Sequence, residues 1–129
     1  GHIPERDGIL SGLIVLEMMV RTGKTVSELL AMLTDKVGPH HYDRRDLKFN
    51  PDQLTAMMQR LAAVQPATLA GRPVKAVDTR DGYRFLLEGD HWALIRFSGT
   101  EPLLRIYAEA ESMEAVEALL SETQALAGV

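Results

Sequence analysis

The stretch Pro73-Val-Lys-Ala-Val-Asp-Thr-Arg-Asp-Gly-Tyr-Arg-Phe-Leu-Leu87 decides the fold class, because its apolar residues follow a period close to two. That period is typical of a half-buried strand. Between the two apolar runs lies Asp81-Gly82, a dipeptide that favours a hairpin turn. The segment therefore predicts two antiparallel strands, Val74 to Thr79 and Tyr83 to Leu87.

Two further strands are predicted downstream, Trp92 to Phe97 and Leu103 to Ala110, joined by the loop Ser98-Gly-Thr-Glu-Pro102. Strands joined by short turns pair antiparallel. Alternation places Ala93, Ile95 and Phe97 on one face and Leu94 and Arg96 on the other. Trp92 shares the face of Arg96, yet a large aromatic is more often in a core than stacked on a sugar, and a core position is predicted for it.

Helices flank these strands in the sequence. Asn50-Pro51-Asp-Gln53 combines a cap residue, a proline at the first helical position and a glutamine three residues after the cap, which predicts a helix start. Ser112 caps a last helix. The segment 40–49 is a weak candidate for an edge strand. Together these elements predict an α+β fold: an antiparallel sheet with two helices on one face.

The first 38 residues have a different character. Asp7 is placed to cap a helix over Gly8 to Val20 that is apolar nearly all round, and Thr25-Val-Ser-Glu28 predicts a second helix that ends at Gly38-Pro39. A helix of the first kind needs burial within a larger structure. The sequence therefore predicts a helical segment, 1–38, from a longer protein, followed by a domain over 39–129.

Composition excludes several classes of protein. The chain has 129 residues, a formal net charge of −4 and no cysteine. A mildly acidic chain is a poor candidate for binding nucleic acid or a membrane surface. Without cysteine it has neither disulfides nor thiolate metal sites, which fits a cytoplasmic protein. No metal site and no catalytic group are predicted within the chain.

The segment Arg96-Phe-Ser-Gly-Thr-Glu-Pro-Leu-Leu-Arg105 carries the chemistry. A phosphate is bound by converging backbone N–H groups, hydroxyl donors and a guanidinium fork. Ser98, Gly99 and Thr100 supply the amides and two hydroxyls, and Gly99 lets the backbone approach an anion. Arg96 and Arg105 lie on the flanking strands, near the loop. Glu101 would repel a phosphate unless it pairs with, and orients, one of these arginines. The alternative is an ordinary β-turn.

The segment Arg96-Phe-Ser-Gly-Thr-Glu-Pro-Leu-Leu-Arg-Ile-Tyr-Ala-Glu109 resembles the phosphate-binding signature of the α-D-phosphohexomutases, in particular their phosphoglucomutase/phosphomannomutase group. His2-Ile-Pro-Glu-Arg-Asp-Gly-Ile9 is similar to the stretch after that family's sugar-binding loop. The resemblance implies the end of the third domain over 1–38 and the fourth domain, of a TATA-box-binding-protein-like fold, over 39–129. It assigns the grip on the substrate's non-reacting phosphate to Arg96, Ser98, Gly99, Thr100 and Arg105.

The resemblance also implies a reaction for the parent enzyme. A phosphoserine transfers its phosphoryl group to a hexose phosphate, and the hexose bisphosphate intermediate turns and returns the other one. Mg²⁺ serves as cofactor in the second domain. The phosphoserine motif, the Asp-Gly-Asp metal loop and the sugar loop are not in this sequence. The chain is thus expected to be inactive alone, to bind no cofactor, and to work with a hexose phosphate and the other domains of its parent.

Two other functions stay open. One is a stand-alone module that binds phosphorylated ligands without catalysis, although the apolar first helix would then be exposed. The other is a phosphoglucosamine mutase. Ile106-Tyr107-Ala108 and Glu5-Arg6-Asp7-Gly8 resemble the glucose/mannose group more closely.

Overall fold

The computed structural model describes residues 6–128. The chain falls into two compact units that divide between Gly38 and Pro39. The first unit is a pair of helices, and the second is a six-stranded antiparallel sheet with its own helices.

In the first unit, helix α1 spans Gly8–Thr22 and helix α2 spans Val26–Val37. Both predicted caps are confirmed. The Asp7 carboxylate accepts a hydrogen bond from the Leu10 amide at 2.9 Å, and Thr25 forms a reciprocal capping box with Glu28. Each cap satisfies backbone N–H groups that have no partner within the helix. Helix α1 runs two residues beyond the predicted Val20, to Thr22, and is followed by Gly23, whose backbone conformation is left-handed.

No residue between 6 and 38 is buried. Helix α1 in particular exposes large apolar side chains, including Ile9 at 80% and Val20 at 76%. This is the exposed surface that its nearly all-apolar sequence predicts. Even so, none of the helices within residues 6–128 combines the length and apolarity that crossing a bilayer requires.

In the second unit, six strands form one sheet in the order β1-β6-β5-β4-β3-β2, with every neighbouring pair antiparallel. The strands are β1 His41–Lys48, β2 Thr68–Leu69, β3 Arg72–Asp78, β4 Tyr83–Leu87, β5 Trp92–Phe97 and β6 Leu103–Ala110. The weak strand predicted over 40–49 is therefore present, at an edge of the sheet. It pairs with the last strand of the chain, so only a long-range contact makes it a strand.

Helices cover one face of this sheet. A 3₁₀ turn, Pro51–Gln53, leads into α3, Leu54–Ala63, and α4 spans Met113–Ala127. Their buried residues and the inward side chains of β4, β5 and β6 form one core. The predicted α+β architecture, with an antiparallel sheet and two helices on one face, is confirmed. The core includes Met57, Leu61, Phe85, Leu87, Ile95, Leu104, Ile106, Val116, Leu119 and Leu120.

Two local predictions are wrong. Strand β2 was not predicted, because two residues are too few to show a period of two. It is joined to β3 by Ala70 and Gly71, both with positive φ. Trp92 lies outside the core, on the sheet face away from the helices, where the Arg84 guanidinium sits 5.0 Å from its ring centroid. Strand alternation outweighed the preference of a large aromatic for the core.

Candidate functional site

The two arginines flanking the predicted anion loop are direct neighbours in the sheet. Arg96 of β5 and Arg105 of β6 are cross-strand partners, and Asp46 of β1 is opposite Arg105 on its other side. All three positions lie on the face away from the helices. Like charges directly opposite each other destabilise a sheet. An anion between the two guanidiniums would relieve their repulsion, while the carboxylate of Asp46 opposes its approach.

Backbone hydrogen bonds hold the loop Ser98 to Pro102. The Ser98 amide donates to the Leu103 carbonyl at 2.9 Å, and the Leu103 amide donates to the Glu101 carbonyl at 2.7 Å. The Phe49 amide donates to the Pro102 carbonyl at 3.2 Å, which ties the loop to the end of β1. The Ser98 amide is thus occupied, contrary to the expectation of three converging amides. Within residues 6–128, no acceptor is found for the amides of Gly99 and Thr100.

Ser98, Gly99 and Thr100 line a cavity of about 390 Å³. Its opposite wall is apolar and comes from the end of β1, the start of α3 and Phe97. The rings of Phe49 and Phe97 pack edge to face, with their centroids 5.8 Å apart. A neighbouring cavity of about 260 Å³ shares Met58 and Phe97 with the first and is lined by Arg96. Ser98, Gly99 and Thr100 thus share one cavity, and Arg96 lines the neighbouring one.

The ion-pair partner of Arg96 is Asp81, which is not among the residues predicted from the sequence to form the site. Arg96 Nε lies 3.2 Å from Asp81 Oδ1, and both side chains are largely exposed. The expectation that Glu101 orients one of the arginines is wrong for Arg96, and no ion pair of Glu101 occurs among the described residues. The sequence marked Asp81 only as part of the Asp81-Gly82 turn. Its proximity to Arg96 was not predictable, because that depends on how the strands pair.

Asp81 lies at the tip of the β3–β4 hairpin, and the next residue fixes that tip against β5. Gly82 has φ +89°, and a Cβ there would overlap the Ile95 carbonyl oxygen and come 3.3 Å from the Arg96 Cα. Glycine is therefore required at position 82 both by its backbone conformation and by this close approach. The hairpin tip comes to lie directly beside Arg96.

A second ion pair organises the same hairpin. Arg80 Nη2 lies 2.6 Å from Asp78 Oδ2, and Arg80 Nε bonds to both Asp78 oxygens. The hydrogen bonds from Arg80 lower the pKa of Asp78 to about 2. Asp78 therefore stays ionised and keeps Arg80 engaged. Arg80 and Arg84 line a cavity together with Asp81, yet Arg96 is the arginine with which Asp81 forms an ion pair.

Arg105 contributes an unsatisfied donor. Its Nε is buried and has no hydrogen-bond partner among the described residues. A buried donor without an acceptor costs about 1–3 kcal/mol. Arg105 lines neither of the two cavities beside the loop.

The described residues do not suit the magnesium ion that the family resemblance implies. Within residues 6–128, no three His, Asp or Glu side chains converge as metal ligands would. No step of the function proposed below is therefore assigned to a metal held by this chain.

Comparison with known families agrees with these features. The family model for the phosphoglucomutase/phosphomannomutase C-terminal domain matches residues 46–126. The model for alpha/beta/alpha domain III of the same family matches residues 1–37. The first match includes the whole loop, both arginines and Asp81.

Curated relatives carry several names from this family. A probable phosphoglucosamine mutase of Methanopyrus kandleri is 37% identical over 116 residues, which cover 90% of this chain and 24% of the relative. A phosphoglucomutase/phosphomannomutase of Thermococcus kodakarensis is 32% identical over 84% of this chain and 22% of its own length. A phosphoglucomutase of Komagataeibacter xylinus is 32% identical over 93% of this chain and 23% of its own.

The chain spans about a quarter of the length of these relatives. The sugar in their names varies, so relatedness by itself does not select one sugar. The two domain matches, the sheet with its covering helices and the paired arginines lead to one assignment. This chain belongs to the phosphoglucomutase/phosphomannomutase family of phosphohexomutases, where it corresponds to the C-terminal domain and to part of domain III.

Proposed function

We propose that this chain binds the non-reacting phosphate of a hexose phosphate, within a mutase that interconverts hexose 1-phosphate and hexose 6-phosphate. The binding residues are Arg96, Ser98, Gly99 and Thr100, with Arg105. The observation that carries the proposal is the pair of arginines directly opposite each other on β5 and β6, beside a loop with two unengaged amides. Guanidinium forks, amide donors and hydroxyls are the groups that bind phosphate oxygens.

The glycine in the loop supports an external ligand. Gly99 does not have a positive φ, and a Cβ at this position would meet nothing within 4 Å. The protein itself therefore imposes no need for glycine at position 99. A ligand that must approach the backbone closely supplies such a need.

The division of labour follows from the physics of phosphoryl transfer, which depends largely on positioning and electrostatic stabilisation. Holding the distal phosphate supplies binding energy remote from the reacting centre and orients the other end of the sugar. In the proposed reaction the phosphoserine and the Mg²⁺ site belong to other domains of the parent enzyme, and the sugar-binding loop belongs to a part of domain III outside this sequence. We propose a cytoplasmic location for that enzyme, with which the lack of cysteine in this quarter of its length is compatible.

The 129-residue chain is expected to show no mutase turnover by itself, because its sequence contains neither the phosphoserine motif nor the Asp-Gly-Asp loop. A coupled assay converting glucose 1-phosphate to glucose 6-phosphate, with Mg²⁺ and glucose 1,6-bisphosphate supplied, checks this. A rate above that of a mock purification would contradict the proposed division of labour.

Binding itself is expected to be detectable in the chain. Titration with inorganic phosphate should shift the amide resonances of Gly99 and Thr100 first, since both lack an acceptor. The Ser98 amide should shift less, because it donates to Leu103. The dissociation constant should be millimolar, about −4 kcal/mol, because the loop is open to water and Glu101 adds repulsion. Neutral glucose is the control, and shifts spread evenly over the surface would refute the site.

The sugar is a separate question from the phosphate. The proposed site contacts the phosphate and not the substituent at C2 of the sugar. Glucose 6-phosphate and glucosamine 6-phosphate should therefore shift the same amide resonances. We favour the glucose/mannose group on the residues quoted above. The glucosamine alternative is supported by the names of several relatives, among them the probable phosphoglucosamine mutase of Methanopyrus kandleri.

A further inference from the structure

We infer that Asp81 is a positioning residue for the proposed phosphate site. It holds the Arg96 guanidinium so that the two terminal nitrogens face a bound phosphate. This inference rests on the proposed function. It adds to the loop and its two arginines the tip of the β3–β4 hairpin, a part of the chain 15 residues away from Arg96 in sequence.

The contact geometry is the first support. Asp81 Oδ1 lies 3.2 Å from Arg96 Nε, and the two terminal nitrogens of Arg96 make no hydrogen bond within residues 6–128. A guanidinium presents five donors in one plane. A carboxylate on the Nε side therefore leaves both terminal nitrogens for the two-bond fork that recognises phosphate.

The rigid placement of the hairpin tip is the second support. A Cβ at Gly82 would overlap the Ile95 carbonyl oxygen, so the tip lies close against the strand that carries Arg96. Asp78 and Arg80 pair with each other, which leaves Asp81 available to Arg96. The lining of the 260 Å³ cavity also places these groups together, since it contains Thr79, Asp81, Gly82 and Arg96.

Asp81 has two opposing effects on a bound phosphate. Its charge repels the anion, because a phosphate on the other edge of the same guanidinium lies within the screening length of about 8 Å at 0.15 M salt. Its ion pair with Arg96 restricts the rotamers of a side chain that is otherwise among the most flexible. The inference is that the second effect is larger, because it acts on the group that makes the principal contact.

The test is a phosphate titration at 0.15 M salt, read from the Gly99 and Thr100 amides and from the Arg96 Nε–H resonance. Asp81→Ala should weaken phosphate binding about 3- to 10-fold. Asp81→Asn keeps an acceptor and removes the charge, so it should retain more affinity than Asp81→Ala. Asp90→Asn is the matched control: it removes one carboxylate from an exposed turn with positive φ, where asparagine is tolerated, and should change binding less than 2-fold.

Repeating Asp81→Ala in an Arg96→Lys protein distinguishes an effect that acts through Arg96 from a general destabilisation of the hairpin. In Arg96→Lys the side chain has one nitrogen, so there is no fork edge for Asp81 to orient. Adding Asp81→Ala to that variant should not weaken binding further. A loss equal to that in the parent background would show that Asp81 acts on the fold and not through Arg96.

The outcomes distinguish the inference from the function it rests on. If the parent chain binds phosphate and Asp81→Ala binds it equally or more tightly, Asp81 is not a positioning residue while the phosphate site stands. If the parent chain shows no localised phosphate shifts, the proposed function fails and the inference fails with it.

Discussion

The Arg96→Ala variant is expected to lose almost all phosphate binding. The substitution removes a charge-assisted hydrogen-bonding group whose contribution is roughly 1.5–3 kcal/mol, which corresponds to about a 10- to 150-fold weaker dissociation constant. Because the parent dissociation constant is already millimolar, binding to the variant should be too weak to detect by titration. Arg96→Lys should recover only part of the affinity, since an ammonium group cannot make two parallel bonds to one phosphate.

Arg84→Ala is the matched control for this prediction. Arg84 lies on the neighbouring strand, on the same sheet face, and stacks over Trp92 away from the loop. Its removal takes away the same charge and should weaken phosphate binding less than 2-fold. If Arg84→Ala and Arg96→Ala weaken binding equally, the attraction comes from the general charge of the face, and the assignment of Arg96 is wrong.

The Gly82→Ala variant is expected to be strongly destabilised. A left-handed backbone costs a non-glycine residue about 1–2 kcal/mol, and forcing a methyl against the Ile95 carbonyl adds about 1–3 kcal/mol. The free energy of unfolding should therefore fall by about 2–5 kcal/mol in chemical denaturation. Because the tip carries Asp81, any folded Gly82→Ala protein should also show a displaced Arg96 Nε–H resonance.

Gly71→Ala separates the two costs. Gly71 also has a positive φ, of 74°, but nothing lies within 4 Å of a Cβ at that position. The free energy of unfolding of Gly71→Ala should fall only by the cost of the left-handed backbone, about 1–2 kcal/mol. Equal destabilisation of the two variants would show that the contact between Gly82 and Ile95 does not constrain the hairpin.

Much of the fold was predictable because its determinants are local. The alternation in β5 and β6, the Asp81-Gly82 turn, the cap at Asp7 and the capping box at Thr25 each depend on residues within a few positions. Strand β2 has no such signature. Trp92 was misplaced because a preference of residue type was set above the alternation of its own strand.

The site divides in the same way. The residues with the chemistry to bind phosphate were identifiable from one contiguous segment, Arg96 to Arg105, since loop amides, hydroxyls and arginines lie within ten positions. The direct pairing of Arg96 with Arg105 also follows from a short loop between antiparallel strands. That the Ser98 amide is engaged was not predictable, because it depends on how the loop closes onto Leu103.

By itself, the sequence determined the α+β class, the two helical caps and the set of phosphate-binding candidates, because periodicity, capping and turn chemistry act between near neighbours along the chain. Only the tertiary structure decided that Asp81, and not Glu101, is the partner of Arg96. The physical reason is register: which carboxylate reaches a guanidinium depends on how β4 pairs with β5 and on how closely Gly82 lets the hairpin tip approach.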